Sequence, residues 1–316
     1  MLLKVNSSPH LNQPLDTRGI MIRVAAALIP AVAASIYFFG LAAIRVIIIC
    51  VSASILTEAV IMLLRKKKTT LGDCSALVTG LLLALILPPQ TTGYAAIIGS
   101  VFAIAIGKQI FGGLGSNIFN PALIARAFLM AAYPKMLTTF ASPRSVDAVS
   151  SATPLALRKF SHNFTPLWDL FTGKVSGSLG ETSAICLIIG GAYLLIKKIA
   201  DWRLSLSMLS TVTLIAFIAV KINPINGSVL FHLFSGGLLL GAFFMATDPV
   251  TTPATKKGRY IFGTGCGILI MIIRYFSGLP EGVMYSILFM NALTPSINRY
   301  THPRPFGNKA SGKGEK

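Results

Sequence analysis

Ala42-Ala43-Ile44-Arg45-Val46-Ile47-Ile48-Ile49-Cys50-Val51-Ser52-Ala53-Ser54-Ile55-Leu56-Thr57-Glu58-Ala59-Val60-Ile61-Met62-Leu63-Leu64 runs straight into Arg65-Lys66-Lys67-Lys68. A run of this length matches the roughly 20 residues that cross a bilayer core as a helix. In hydrocarbon every backbone N–H and C=O must be paired within the chain, which selects a helix over irregular structure. The basic cluster that closes the run is the signal that keeps a loop on the cytoplasmic side.

Eight more apolar runs of this kind lie at about 20–40, 72–88, 93–111, 180–198, 204–221, 229–247, 260–277 and 282–298, and a shorter, polar-flanked tenth spans Phe119 to Tyr133. The 316 residues are 53% hydrophobic and only 12% charged, about half the charge of a soluble domain. Mean hydropathy is +0.71. The chain therefore reads as an all-α polytopic membrane protein of about ten transmembrane helices, with the lipid bilayer as its solvent. Lys4, His10, Asp16, Arg18 and Arg23 fill the opening stretch, which does not read as a cleavable signal peptide.

A net charge of +18 would suit nucleic acid, but the cations sit in short loops: Arg65–Lys68, Lys197-Lys198 with Arg203, Lys256-Lys257-Gly258-Arg259, and the tail. That layout is a topology signal, so no nucleic-acid partner is expected. Ten crossings put all these clusters and both termini on the cytoplasmic side of a prokaryotic plasma membrane. The expected order is a cytoplasmic segment 1–19, a first membrane repeat 20–133, an external loop 134–179, a second repeat 180–298 and a basic tail 299–316.

The halves resemble each other. Gly80-Leu81-Leu82-Leu83 matches Gly237-Leu238-Leu239-Leu240, and each run meets a proline, at Leu87-Pro88-Pro89 and Thr247-Asp248-Pro249. Tyr94 then corresponds to Tyr260, and Lys108 to Arg274. Five crossings separate the matched helices, so the expectation is two inverted five-helix repeats with broken helices, a plan common to transport proteins.

Chemistry is concentrated in few places. The external loop carries Asp147-Ala148-Val149-Ser150-Ser151-Ala152-Thr153-Pro154-Leu155. Taken alone, Thr153-Pro154 is a helix start, with Thr153 as the cap and proline at the first helical position. Gly112–Asn120 reads as a flexible polar segment between apolar runs, in which Asn117 and Asn120, with Arg126 just inside the next run, are candidates to address a ring or a phosphate. A plain turn before a short helix is the alternative. Arg126 lies deep enough in an apolar run to need a partner. Glu58, Asp73 and Asp248 lie in or beside spans, where an unpaired carboxylate is costly, so they are ion-path candidates; pairing at helix ends, for Glu58 with Arg45 or with Arg65–Lys68, is the bland reading. The cysteines, Cys50, Cys74, Cys186 and Cys266, form no C-x-x-C pair, so no metal or iron–sulfur centre is expected within this chain.

Spacing in the external loop resembles the Asp-x-x-Ser-x-Ala-Thr site at which a flavin transferase esterifies FMN to threonine, with Ser151 where glycine is usual. Ser7-Ser8-Pro9-His10, Gly112-Gly113-Leu114-Gly115-Ser116-Asn117-Ile118-Phe119-Asn120-Pro121, Met245-Ala246-Thr247-Asp248-Pro249 and Asn291-Ala292-Leu293-Thr294-Pro295 extend the likeness across nearly the whole chain. It resembles the D subunits of the Rnf ion-translocating electron-transport complex. The resemblance implies a membrane subunit of an oxidoreductase coupling electron transfer between ferredoxin and NAD to Na⁺ or H⁺ movement, with covalent FMN on Thr153 in a motif formed by Asp147, Ser150, Ser151 and Ala152. It also implies a maturing flavin transferase and other Rnf subunits as partners, a second flavinylated subunit among them. The related B subunit of the sodium-pumping NADH:quinone reductase holds a noncovalent riboflavin too, so a second flavin is a candidate ligand. That subunit type, distinguished by a long N-terminal extension, and a redox-inert channel or carrier built on the same repeats are the alternatives.

Overall fold

The computed structural model describes residues 16–66, 70–141, 143, 150–161, 163–223 and 227–302. Asp147 lies outside the described residues. Four helices are long and apolar enough to cross a membrane: α1 (Thr17–Phe39), α2 (Leu41–Leu64), α10 (Trp202–Ile222) and α13 (Lys256–Phe276). Between them come α3 (Ser75–Ile86), α4 (Gly93–Ile104, extended by a π-turn Ala105–Gln109), α5 (Pro121–Ala132), α9 (Ala184–Ile196), α11 (Val229–Phe234), α12 (Leu238–Leu240, extended by a π-turn Gly241–Met245) and α14 (Val283–Thr301). Counting α11 and α12 with its π-turn as one interrupted segment, ten apolar segments result among the described residues. The chain is an all-helical polytopic membrane protein.

Short α6 (Pro134–Thr138), α7 (Pro154–Ser161) and α8 (Leu167–Thr172), and a two-residue antiparallel pair of β1 (Phe140–Ala141) with β2 (Ser150–Ser151), fill the long central connection. Helix ends fall on two faces. One, the basic face, gathers the ends of α2 and α10 and the π-turn after α4: Arg65 donates to the Gln109 carbonyl at 2.8 Å, and Arg259 pairs with Asp201. The central connection lies at the other.

At about 1.5 Å per residue, α3 spans only about 18 Å, well short of a bilayer core. The irregular backbone beside it survives because it is enclosed by protein. Leu87, Pro88 and Pro89 are buried, the Leu87 carbonyl accepts from Leu179 N–H at 3.1 Å, and Arg45 reaches the Thr91 carbonyl. In the second half the break falls at Ser235–Gly237, between α11 and α12, ahead of the proline. Arg274 answers the carbonyls freed there, donating to His232 and Ser235 at 2.6 and 3.0 Å. The two π-turns likewise fall in the fourth segment of one half and the third of the other.

Close approach between the halves depends on Gly190, where α9 crosses α1. A Cβ there would stand 2.1 Å from the Ala27 carbonyl oxygen. Gly190→Val is expected to force the helices apart at a cost of about 3 kcal/mol. Melting of the detergent-solubilised chain should fall accordingly, and an unchanged transition would contradict this packing.

Candidate functional site

Two cavities, one toward each face, divide the candidate residues between them. On the face away from the basic clusters, Thr153 caps α7. Its Oγ1 accepts from Ala156 N–H at 3.3 Å and its carbonyl from Leu157 N–H at 2.9 Å. Pro154 follows at the first helical position, where its missing N–H costs nothing. Helix α7 is tied down at its far end. Lys159 donates to the carbonyls of Arg274 and Leu279 at 3.1 and 2.8 Å and also to that of Ser277, while Arg158 lies over the Tyr275 ring at 4.9 Å. The unpaired carbonyls at the C-terminal end of α13 are a natural cation anchor.

Thr153 opens onto a cavity of about 780 Å³, its mouth included, with Leu155, Phe234 and Tyr285 among its walls and Arg126, Glu181 and Glu281 as its charged groups. Arg126 on α5 donates to Glu281 Oε2 at 3.2 Å and stands 3.9 Å from Glu181 Oε1, an ion-pair distance rather than a hydrogen bond. Glu281 Oε1 in turn accepts from Gly237 N–H at 2.6 Å, bracing the break before α12. Arg126 Nε and Glu181 Oε1 are buried with no hydrogen-bond partner among the described residues. The partner Arg126 requires is thus a pair of glutamates that sequence reading passed over. Glu181, at the head of an apolar run, was the available signal.

Toward the basic face a second cavity, of about 730 Å³ with its open mouth included, is lined by Ser75, Lys108, Asn117, Asn120, Thr247 and Asp248, with apolar neighbours. Lys108, carried by the π-turn after α4, is 2% exposed and sits 2.7 Å from Glu58 Oε1, itself fully buried. Gln109 and Thr70 donate to the same oxygen at 3.2 and 2.8 Å. Lys108 also donates to Ser75 Oγ, which donates to Asp73 Oδ1 at 2.5 Å. Glu58 is therefore paired with Lys108 and, among the described residues, with neither Arg45, which sits at the opposite end of α2, nor Arg65. Asp73, two residues before α3, accepts from Ser75 N–H at the start of that helix at 2.8 Å.

Asp248 lies in the loop beyond the second π-turn, accepting from Val250 N–H at 3.2 Å and Thr251 Oγ1 at 3.4 Å. Burial pushes its carboxyl up to about 6 despite these donors. Asn120 has a structural task, capping α5 by accepting from Ala122 and Leu123 N–H at 3.1 and 3.3 Å. Asn117 donates to the Phe119 carbonyl at 3.2 Å, while its buried Oδ1 has no partner among the described residues. Of the three acids singled out in the sequence, Asp248 lines this cavity, while Glu58 and Asp73 stand behind its wall, bonded to the lining residues Lys108 and Ser75; Thr153 and Arg126 line the other. Ser150 and Ser151 form the strand leading to Thr153, and Ala152 is exposed beside it.

Residues 4–307 match the model of the NQR2, RnfD, RnfE family. The chain is 48% identical to the D subunit of the Na⁺-translocating ferredoxin:NAD⁺ oxidoreductase complex of Acetobacterium woodii, over 96% of this chain and 95% of that one. It is 43% identical to the proton-translocating counterpart of Clostridium ljungdahlii, over 98% and 97%. Against the D subunit of the ion-translocating oxidoreductase complex of Stutzerimonas stutzeri, identity is 42% over 93% of each chain. A match of this extent, on a helical membrane scaffold, makes this chain a member of the NQR2, RnfD, RnfE family.

Proposed function

We propose that the chain is the D-type membrane subunit of an ion-translocating ferredoxin:NAD⁺ oxidoreductase complex, carrying FMN on Thr153 as a phosphoester. The observation that carries the reading is the position of Thr153: a helix-capping hydroxyl opening onto a largely apolar cavity with a buried arginine. When bound, FMN supplies one- and two-electron transfer. The residues present fit it. The N-terminus of α7 favours an anion at Thr153, the apolar walls suit a flat ring system, and Arg126, whose buried Nε has no hydrogen-bond partner among the described residues, lines the same space. Threonine is a weak nucleophile unaided, so a separate flavin transferase installs the group. The orphaned carbonyl oxygen of Asn117 supports the other cavity as the place for a second, noncovalent flavin.

Co-expression of the full chain with a flavin transferase tests the reading. Intact mass should increase by one FMN, and a chain that stays unmodified would overturn it. The charge layout supports both termini in the cytoplasm and the flavin loop outside. With the native cysteines replaced, an impermeant thiol reagent applied to cells should label Ser161→Cys and spare Lys66→Cys; the reverse pattern would invert the orientation.

Asp248 serves coupling in this reading. Pro249 keeps the residue before it out of helical geometry, and a carboxylate beside irregular backbone offers the oxygen ligands or proton acceptor a small cation needs. Its raised pKa gives the sign of the stability effect. The folded state holds the proton more tightly than the unfolded one, so this group's contribution falls as pH rises from about 4 through 6. Asp248→Asn should therefore fold at least as well as wild type at neutral pH, with normal assembly and flavin content, while electron transfer loses its dependence on the driven ion. A variant that pumps normally, or that fails to assemble, would refute the coupling role.

A further inference from the structure

A third recess opens on the basic face where the first turns of α10 and α13 meet the loop after α9. Its cations are Lys198, Arg203 and Arg259, and its one carboxylate among the described residues is Asp201. Asp201 pairs with Arg203 at 3.2 Å and also with Arg259, which holds both guanidinium groups in place before any ligand arrives. No carboxylate among the described residues pairs with Lys198. The balance is three cations to one anion, so the recess keeps an unmet positive charge. Trp202 and Tyr260 flank it, 48% and 41% exposed, with rings packed edge to face at 6.3 Å. Arg203 lies over the Trp202 ring at 5.0 Å.

Exposed Trp and Tyr at helix starts mark the depth of the lipid headgroups. Leu195 and Ile199 add apolar surface to the lining. Basic pockets between membrane helices at this depth suit phosphate headgroups. We propose that this recess is a binding site for the phosphate of an anionic phospholipid, with Lys198, Arg203 and Arg259 on the phosphate and an acyl chain over the Trp202–Tyr260 pair. The recess shares Thr247 and Pro249 with the neighbouring Asp248 cavity, so an occupied site would brace the loop that carries Asp248.

The chain has two tryptophans; Trp168 lies on α8 in the central connection, away from this face. Trp168→Phe therefore leaves Trp202 as a single reporter in the full-length chain. In nanodiscs, brominated phosphatidylglycerol should quench Trp202 far more than brominated phosphatidylcholine at equal mole fraction. Lys198→Gln with Arg259→Gln should weaken that preference roughly 25-fold, and Lys198→Gln alone about fivefold, at about 1 kcal/mol per cation. Asp201→Asn should preserve it. The single Lys198→Gln variant leaves the Asp201 pairs intact, so the test survives if the double variant does not fold. Equal quenching by the two lipids, or a preference undiminished in Lys198→Gln, would overturn the site. Loss of the preference on adding inorganic phosphate would assign the recess to a soluble phosphate ligand and overturn the lipid assignment.

Discussion

In Thr153→Val, flavin fluorescence of the denatured chain should fall to background, and the intact mass should lose one FMN adduct, while the protein still folds. Valine keeps the shape of threonine but has no oxygen to esterify. The same change removes the acceptor for Ala156 N–H, a cap worth about 1 kcal/mol. That loss is too small to unfold a chain whose α7 is also held by Lys159 on the end of α13. Thr153→Ser separates the two roles, since it retains both the hydroxyl and the cap, and the adduct should persist. An adduct on the valine variant would place the flavin elsewhere.

Lys108→Met should be far more damaging to the fold. Lys108 and Glu58 are both buried, 2.7 Å apart, and removing one partner leaves the other charged and uncompensated. Such a loss costs about 3–5 kcal/mol, whereas replacing both partners by neutral groups is often tolerated. Lys108→Met is thus expected to yield little folded protein. Lys108→Met combined with Glu58→Gln should recover most of the lost thermal stability in detergent. If the single variant melts like wild type, or the double variant is no better than the single, the pair is not the organising contact of that cavity. Ion-dependent electron transfer in the recovered double variant then reports whether the carboxylate of Glu58 is needed beyond its structural pairing.

Membrane character and the approximate place of each segment were legible because hydrocarbon imposes a one-dimensional rule: about 20 apolar residues per crossing, paired backbone, cations at the ends. The run at 42–64 reappears as Leu41–Leu64, and 204–221 as Trp202–Ile222. Thr153 was legible as a cap for a similar reason, since a hydroxyl followed by proline is a local signal that needs no partner. The glycine-rich matching of the halves placed Lys108 opposite Arg274, and both are buried cations, though the pattern did not say what they bind.

Interruptions and pairings were not legible. The break at Ser235–Gly237 contains no proline, and it exists because Arg274, Glu281 and their neighbours satisfy the freed backbone from other helices. Nothing within residues 229–247 announces that. The partners of Arg126 lie 55 and 155 positions along the chain at Glu181 and Glu281, too far apart for any periodicity to link them. Sequence by itself determined the membrane fold, the segment order and the threonine that caps α7, because those follow from local hydropathy and backbone chemistry. Only the tertiary structure decided that Thr153 and Arg126 share one cavity while Asp248 lines another, with Glu58 and Asp73 held behind its wall by Lys108 and Ser75, because charges in a low-dielectric interior choose partners by proximity in space.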